Sequence, residues 1–175
     1  MKLPSYGRAF FGNGGKEMGK NPIVQFGLYS IRDQFFIDFK NPYFSDNKAE
    51  NRPYFCAFQD KTGVWWMIPL STQVATYQKK ITKDEQAHGM CLYYHIGKIA
   101  GQDRVFLIGN MFPVSKKYIK KEYTMAGTHY VIQNQLLLKE VQKRAKKYLV
   151  LIERQKMKPS IDVLAIRKKL TQGKK

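Results

Sequence analysis

Carboxylates are scarce in this chain. Thirteen Asp and Glu stand against 31 Lys and Arg, which leaves a formal net charge of +18 over 175 residues. Histidine and cysteine are scarcer still. His88, His95, His129, Cys56 and Cys91 show none of the spacings that hold a zinc ion, so neither a metal nor a cofactor is expected. Both cysteines sit inside apolar, strand-like runs and read as buried free thiols of a reducing cytoplasm. No apolar run approaches the ~20 residues needed to cross a bilayer. The first 20 residues lack the apolar block of a signal peptide. They are Gly-rich and without period, so a flexible arm is expected over 1–20, with Met18 as an alternative start.

What is abundant is aromatic. Eleven Tyr, 11 Phe and 2 Trp within a 43% hydrophobic chain exclude a disordered polycation and supply a real core. The length suits one domain, over 21–175. A folded surface charged so heavily with one sign repels itself unless it meets a polyanion, and nucleic acid is the first candidate, ahead of an anionic membrane or an acidic protein. The charge is concentrated late. Between Lys139 and Lys175 lie 13 basic and 3 acidic residues, net +10 of the +18.

Local patterns predict an α+β domain. Ile23–Ile31 suggests a strand, and Arg32–Phe39 a short helix with Ser30 as its cap. The polar, turn-rich segment 41–53 reads as a loop. Tyr54–Phe58 and Val64–Leu70, joined across a turn ending in Gly63, form a β-hairpin. Gln73–Ala87 is a loop or short helix. Met90–Ile96 and Val105–Met111 are further strands around a Gly-containing turn. From about Thr128 the period becomes helical, with Ile132, Leu136, Val141, Tyr148 and Ile152 as an apolar stripe ending near Lys156. Pro159 interrupts it, and Ser160 is placed to cap a last helix through Leu170. The expected fold is a compact, highly twisted antiparallel sheet or partly open barrel with C-terminal helices on one side.

The second hairpin strand is apolar at every position from Val64 to Leu70, which places it centrally. Pro69 donates no ladder hydrogen bond, so fraying is expected there. Ser71 and Thr72 then emerge at a strand end near basic residues. They either donate to a phosphate or merely cap the following turn. His95 lies on a strand near basic residues, as a general acid or base or as a satisfied core histidine.

The run WMIPLST, with PYFCAF before it and a lysine-bearing segment after it, resembles the toxins of bacterial type III toxin–antitoxin systems, the ToxN, AbiQ and CptN-like endoribonucleases, CptN-like most of all. NPYFSDNKAENRP, VFLIGNMFPVS and the helix pair closing on IRKKLTQGKK agree with that resemblance, which runs from about Asn21 to the C-terminus. It implies a twisted barrel like that of the MazF and Kid toxins. The implied activity is metal-independent cleavage of single-stranded RNA, cellular mRNA included, leaving a 2′,3′-cyclic phosphate. The implied inhibitor is a small pseudoknot RNA antitoxin, which the toxin cuts from its precursor and holds in a closed assembly. Carried over residue by residue, the resemblance assigns Ser71 and Thr72 as the catalytic hydroxyl pair, Arg52 as the basic residue ahead of the hairpin, and Lys79 or Lys80 as the lysine that follows. Phosphate contact with folded RNA falls to Lys116, Lys117, Lys120 and Lys121 together with Lys139, Lys143, Arg144, Lys146 and Lys147 of the long helix. The alternative is a basic RNA-binding module without catalysis, in which exposed aromatic rings stack bases.

Overall fold

The computed structural model describes residues 21–173; the expected N-terminal arm over 1–20 lies outside them. Its elements in chain order are β1 (Leu28–Ile31), α1 (Asp33–Asp38), β2 (Tyr54–Gln59), β3 (Trp65–Ser71), α2 (Val74–His88), β4 (Tyr94–Ile99), β5 (Gln102–Leu107), β6 (Phe112–Val114), β7 (Ile119–Glu122), β8 (Thr124–Met125), β9 (Thr128–His129), α3 (Gln135–Glu153) and α4 (Val163–Gln172). The fold is α+β. Seven strands make one twisted antiparallel sheet in the order β4-β5-β3-β2-β1-β7, with β6 on β3, and β8–β9 form a separate ribbon. Of the two architectures expected, the open sheet is the one found, and it does not close into a barrel. The turn after β4 does reach the far side, where the Ala100 amide donates to the Tyr130 hydroxyl at 2.8 Å. That contact is a single hydrogen bond and carries no strand ladder.

β3 organises the sheet. Both of its faces are apolar, so it is stable only with strands on both edges. β2 runs along one edge from Gln59↔Trp65 to Tyr54↔Pro69. The other edge is shared. β6 pairs with Trp65–Met67, and β5 pairs with Leu70–Ser71. The single strand expected over Val105–Met111 is thus broken by a 3-10 turn at Ile108–Asn110. Ile68 and Pro69 lie opposite that turn, between the two partners. A residue without an amide hydrogen is tolerated at such an interruption. The expected fraying at Pro69 does not occur, and β3 continues to Ser71.

The helices also differ in phase from the sequence reading. Ser30 is a buried strand residue, not a cap, and Arg32 precedes α1. α3 starts at Gln135, capped by the Asn134 carbonyl side chain, which accepts from the Leu137 amide at 3.2 Å. Its buried stripe is therefore Leu138, Val141, Ala145, Tyr148 and Ile152, with Leu137 beside it, while Leu136 is 78% exposed. Gly97 lets the helix approach β4, since a Cβ there would collide with the Leu137 side chain. α4 is capped by Asp162 rather than Ser160. Cys56 and Cys91 are buried free thiols, and burial pushes the Cys56 thiol upward.

Asp60 joins the hairpin turn to the last helix. One carboxylate oxygen accepts from the Thr62 amide (2.8 Å) and hydroxyl (2.5 Å); the other accepts from the Trp66 indole (2.9 Å) and from Arg167 (3.0 Å). Burial alone would raise this carboxyl, but the hydrogen bonds from Thr62, Trp66 and Arg167 outweigh it and hold it below the ordinary aspartate value of 3.8. Removing the carboxylate leaves the fully buried Trp66 without its indole acceptor and Arg167 with Glu153 alone (2.9 Å), and Asp60→Ala is expected to cost about 2 kcal/mol. A carboxyl depressed in the folded state contributes stability above its unfolded value and loses it as pH falls through the folded one. Denaturant midpoints of the wild type should therefore fall faster than those of Asp60→Ala as pH drops below 3.8. Parallel midpoints for the two proteins would show that Asp60 carries no such coupling.

Candidate functional site: a basic cleft at the end of β3

Where β3 ends, the chain opens a cleft of about 350 Å³ between the sheet, the loop 41–53 and the start of α2. Ser71 and Thr72 line it together with Arg52, and so do three residues not singled out from sequence, Lys48, Tyr77 and Arg104. None of its lining side chains is a carboxylate or an imidazole.

The cations arrive by two routes. Arg104 stands on β5, which the Ser71↔Val105 pairing carries to the end of β3. Lys48 and Arg52 belong to the loop, which is fixed from beneath. Asn47 is buried there. Its amide donates to the Ile31 carbonyl and to Asp33, each at 2.8 Å, and its carbonyl accepts from the Tyr54 hydroxyl at 2.8 Å. Phe44 and Tyr54 both pack on Phe112, at ring distances of 5.4 Å. Next come three successive residues in the left-handed region, Lys48 (φ 52°), Ala49 (φ 53°) and Glu50 (φ 66°). None is Gly, Asn or Asp, so each costs roughly 1–2 kcal/mol. The turn persists because Glu50 is anchored. Its carboxylate accepts from the Asp33 amide at 2.7 Å and from Lys120 at 2.6 Å.

Arg52 is the floor of the cleft. Only 8% of it is exposed. Its guanidinium donates to the Asp46 carbonyl (3.2 Å) and to the Leu70 carbonyl (3.0 Å), so it ties the loop to the last turn of β3. Its Nε is buried with no hydrogen-bond partner. Among the described residues no carboxylate forms an ion pair with it. A buried cation lacking a counter-charge is costly unless an anion completes the site. The adjacent α2 adds to the same field. It is 15 residues long, has no acidic residue in its first turn and presents its N-terminal end at Gln73.

The hydroxyl pair divides its work. Ser71 Oγ accepts from the Gln73 amide at 3.1 Å, which is the capping role weighed above, and the hydroxyl proton remains available to a ligand. The Thr72 hydroxyl has no protein partner among the described residues and is exposed.

The other expected site residues lie elsewhere. Lys79 is exposed on α2 and does not line the cleft; Lys80 stands over the Tyr77 ring at 4.9 Å and faces a neighbouring groove. The further cations that line this cleft are Lys48 and Arg104, and neither Lys79 nor Lys80 is among them. His95 is on β4, near Arg144 and Glu140 of α3. Burial, and then the Arg144 charge, lower its pKa, which keeps it neutral, and it does not line the cleft. Lys120 is engaged with Glu50, and Arg144 with Glu140 and the Cys91 carbonyl. Lys116 and Lys117 are exposed, Lys121 half-buried. Lys139, Lys143, Lys146 and Lys147 are all exposed along one side of α3, and none has a carboxylate within ion-pair distance among the described residues. Among the described residues no group of three His, Cys, Asp or Glu gathers as a metal site, and no helix is long and apolar enough to cross a membrane.

Compared with protein-family models and with curated proteins, the chain matches none.

An anion in the cleft should stabilise the fold. Inorganic pyrophosphate at ten times its Kd contributes about 1.4 kcal/mol, or roughly 3–6 °C in Tm for a domain of this size. The shift is expected in the wild type at millimolar ligand and should be largely lost in Lys48→Ala/Arg104→Ala. Sodium chloride of equal ionic strength is the control, and equal shifts in both proteins would place anion binding outside the cleft.

Proposed function

We propose that the protein is a metal-independent endoribonuclease of the type III toxin class, restrained in the cell by a small folded RNA. The observation that carries this reading is the carboxylate-free cleft in which the buried, uncompensated Arg52 lies beside Ser71, Thr72, Lys48 and Arg104. A phosphodiester supplies the missing counter-charge. In the reaction the ribose 2′-oxygen attacks the adjacent phosphorus in line. The O2′–P bond forms, the P–O5′ bond breaks, the 2′-hydroxyl loses its proton and the leaving 5′-oxygen gains one. The products are a 2′,3′-cyclic phosphate and a 5′-hydroxyl. Arg52, Lys48 and Arg104 would neutralise charge on the phosphorane oxygens, and Ser71 and Thr72 would orient the phosphate. The curled, open sheet is compatible with a MazF- or Kid-like scaffold, and finer membership in that group is part of the proposal.

The second half of the reading concerns the inhibitor. The exposed lysines of α3 form a row with no counter-ion among the described residues, suited to the closely spaced phosphates of a folded RNA. None of them lines the cleft, so a pseudoknot antitoxin could be gripped there, in a closed assembly, independently of cleavage. A basic module that binds RNA without cutting it is the competing reading, favoured by the half-exposed tyrosines beside the cleft.

Two experiments separate these possibilities. Ser71→Ala should fold and bind RNA but cleave about 10²–10³-fold more slowly, the usual cost of one positioned donor to a developing oxyanion. End mapping of wild-type products, with and without EDTA, should give cyclic-phosphate ends in both cases. Absence of cleavage in the wild type supports the binding module, and 3′-hydroxyl products in a magnesium-dependent reaction overturn the assigned chemistry. Separately, Lys143→Gln/Lys146→Gln/Lys147→Gln should weaken binding of the antitoxin RNA. The slope of log K against log salt should flatten by about 0.7–0.9 per lost phosphate contact, with little change in cleavage of a short oligonucleotide. An unchanged slope would make this helix face a merely solvated one.

A further inference from the structure

Tyr77 is shared between two sites. Its side chain lines the cleft, and its ring packs on Tyr94 with centroids 4.7 Å apart and planes tilted by 56°. Tyr94 in turn lines a separate groove of about 260 Å³ between α2 and β4, together with Tyr93, Lys80, Lys83 and Asp84. The two rings of that groove are neighbours at 6.2 Å, and both tyrosines are half-buried. The Lys80 ammonium bridges the two sites, 4.9 Å from the Tyr77 ring centre and 5.9 Å from that of Tyr94.

We infer that this groove is a nucleobase subsite, into which single-stranded RNA passes from the cleft over Tyr77 so that the next base stacks on Tyr93 and Tyr94. The inference rests on the reading of the cleft as a phosphodiester site. The chemistry of the two cavities differs in the way a nucleotide requires. The cleft holds cations and hydroxyls and no carboxylate, which suits a phosphate. The groove adds two aromatic faces and, opposite its lysines, the Asp84 carboxylate, which lies 3.8 Å from the His88 imidazole and can accept a hydrogen bond from a base edge. Lys80 and Lys83 on the helix side are placed for the phosphate that joins the two nucleotides. Sequence-tolerant stacking on aromatic rings beside lysines is the general physics of single-strand binding. It also gives α2 a purpose. Only Ile81 of its 15 residues is buried, so the helix contributes little to the core and serves to wall both cavities.

The test uses 2′-fluoro oligoribonucleotides of two to eight residues, which lack the nucleophile, with affinity read by fluorescence anisotropy. In the wild type, affinity should rise by about 5- to 150-fold at the length that first reaches the groove, the range expected for one stacked base. Tyr94→Phe should keep this step, whereas Tyr94→Ala should lose it with unchanged affinity for the dinucleotide. Lys80→Gln, an exposed change, should lower the salt slope for the longer ligands by about 0.7. In parallel, 5-iodouracil placed at successive positions of the octamer should cross-link the wild type to Tyr93 or Tyr94 at one position. A retained step in Tyr94→Ala, or cross-links confined to α3, overturns the subsite while leaving the cleft standing. Wild-type protein that binds no oligonucleotide of any length overturns the underlying reading and the subsite with it.

Discussion

Arg52 is the interaction on which the site depends. One guanidinium spans the carbonyls of Asp46 and Leu70, so the loop that walls the cleft and the strand that floors it are joined through a single buried cation. Both bonds go to neutral acceptors. Among the described residues no carboxylate pairs with this desolvated charge. A structural role alone would be served by an uncharged donor, at far lower desolvation cost. The retained charge is explained if the free energy is recovered when an anion arrives, and the unpartnered Nε is the local sign of that incomplete accounting. Strain next to it points the same way. Three consecutive left-handed residues at Lys48–Glu50 are a cost that Asn47 and Glu50 are arranged to hold in place, and the turn's outcome is a lysine at the cleft mouth.

The sheet explains why the cleft lies where it does. A strand apolar on both faces must be central, and β3 satisfies both edges only by dividing one of them between β5 and β6. The division places Pro69 opposite a turn and lets β5 run past the end of the strand, so Arg104 comes level with Ser71 and Thr72. The aromatic packing around Phe112 holds the loop 41–53 from the other side. The basic cleft is thus a product of topology. Its three cations are brought together by one long-range strand pairing and one anchored loop.

Much of this was legible in the residues and part of it was not. The hairpin, the final helices and the position of Ser71 and Thr72 at a strand end follow from local period and from turn residues. Arg52 was singled out by the family resemblance alone, and no local pattern marks it. α2 was obscure because its sequence is polar almost throughout, with one buried position, and periodicity finds a helix only by its apolar face. The phase of α3 was missed by one residue because Leu136, Leu137 and Leu138 are consecutive; only the cap at Asn134 and the close approach at Gly97 decide which of them faces the sheet. Lys79 and Lys80 were nearest in sequence to the hydroxyl pair, but a helix there carries them away from it. Lys48 and Arg104 are 23 and 33 residues from Ser71, and no local pattern could have selected them.

The composition of the cleft limits the chemistry it can perform. Proton transfer near neutrality is most often the work of carboxylates and imidazoles, and the side chains that line the cleft include neither. His95, the strand histidine, is held neutral beside α3 and lies outside the cleft. What the cleft supplies is a positive field and hydroxyl donors beside the Tyr77 ring and an apolar wall. Those are the ingredients for stabilising a pentacovalent phosphorane and for holding the 2′-oxygen in line, and they leave most proton movement to solvent. On the proposed reading such a site would be indifferent to most of what surrounds the scissile bond. Selectivity would then have to come from how the strand is held on either side, which is the part the inferred tyrosine groove would play beside the hydroxyls.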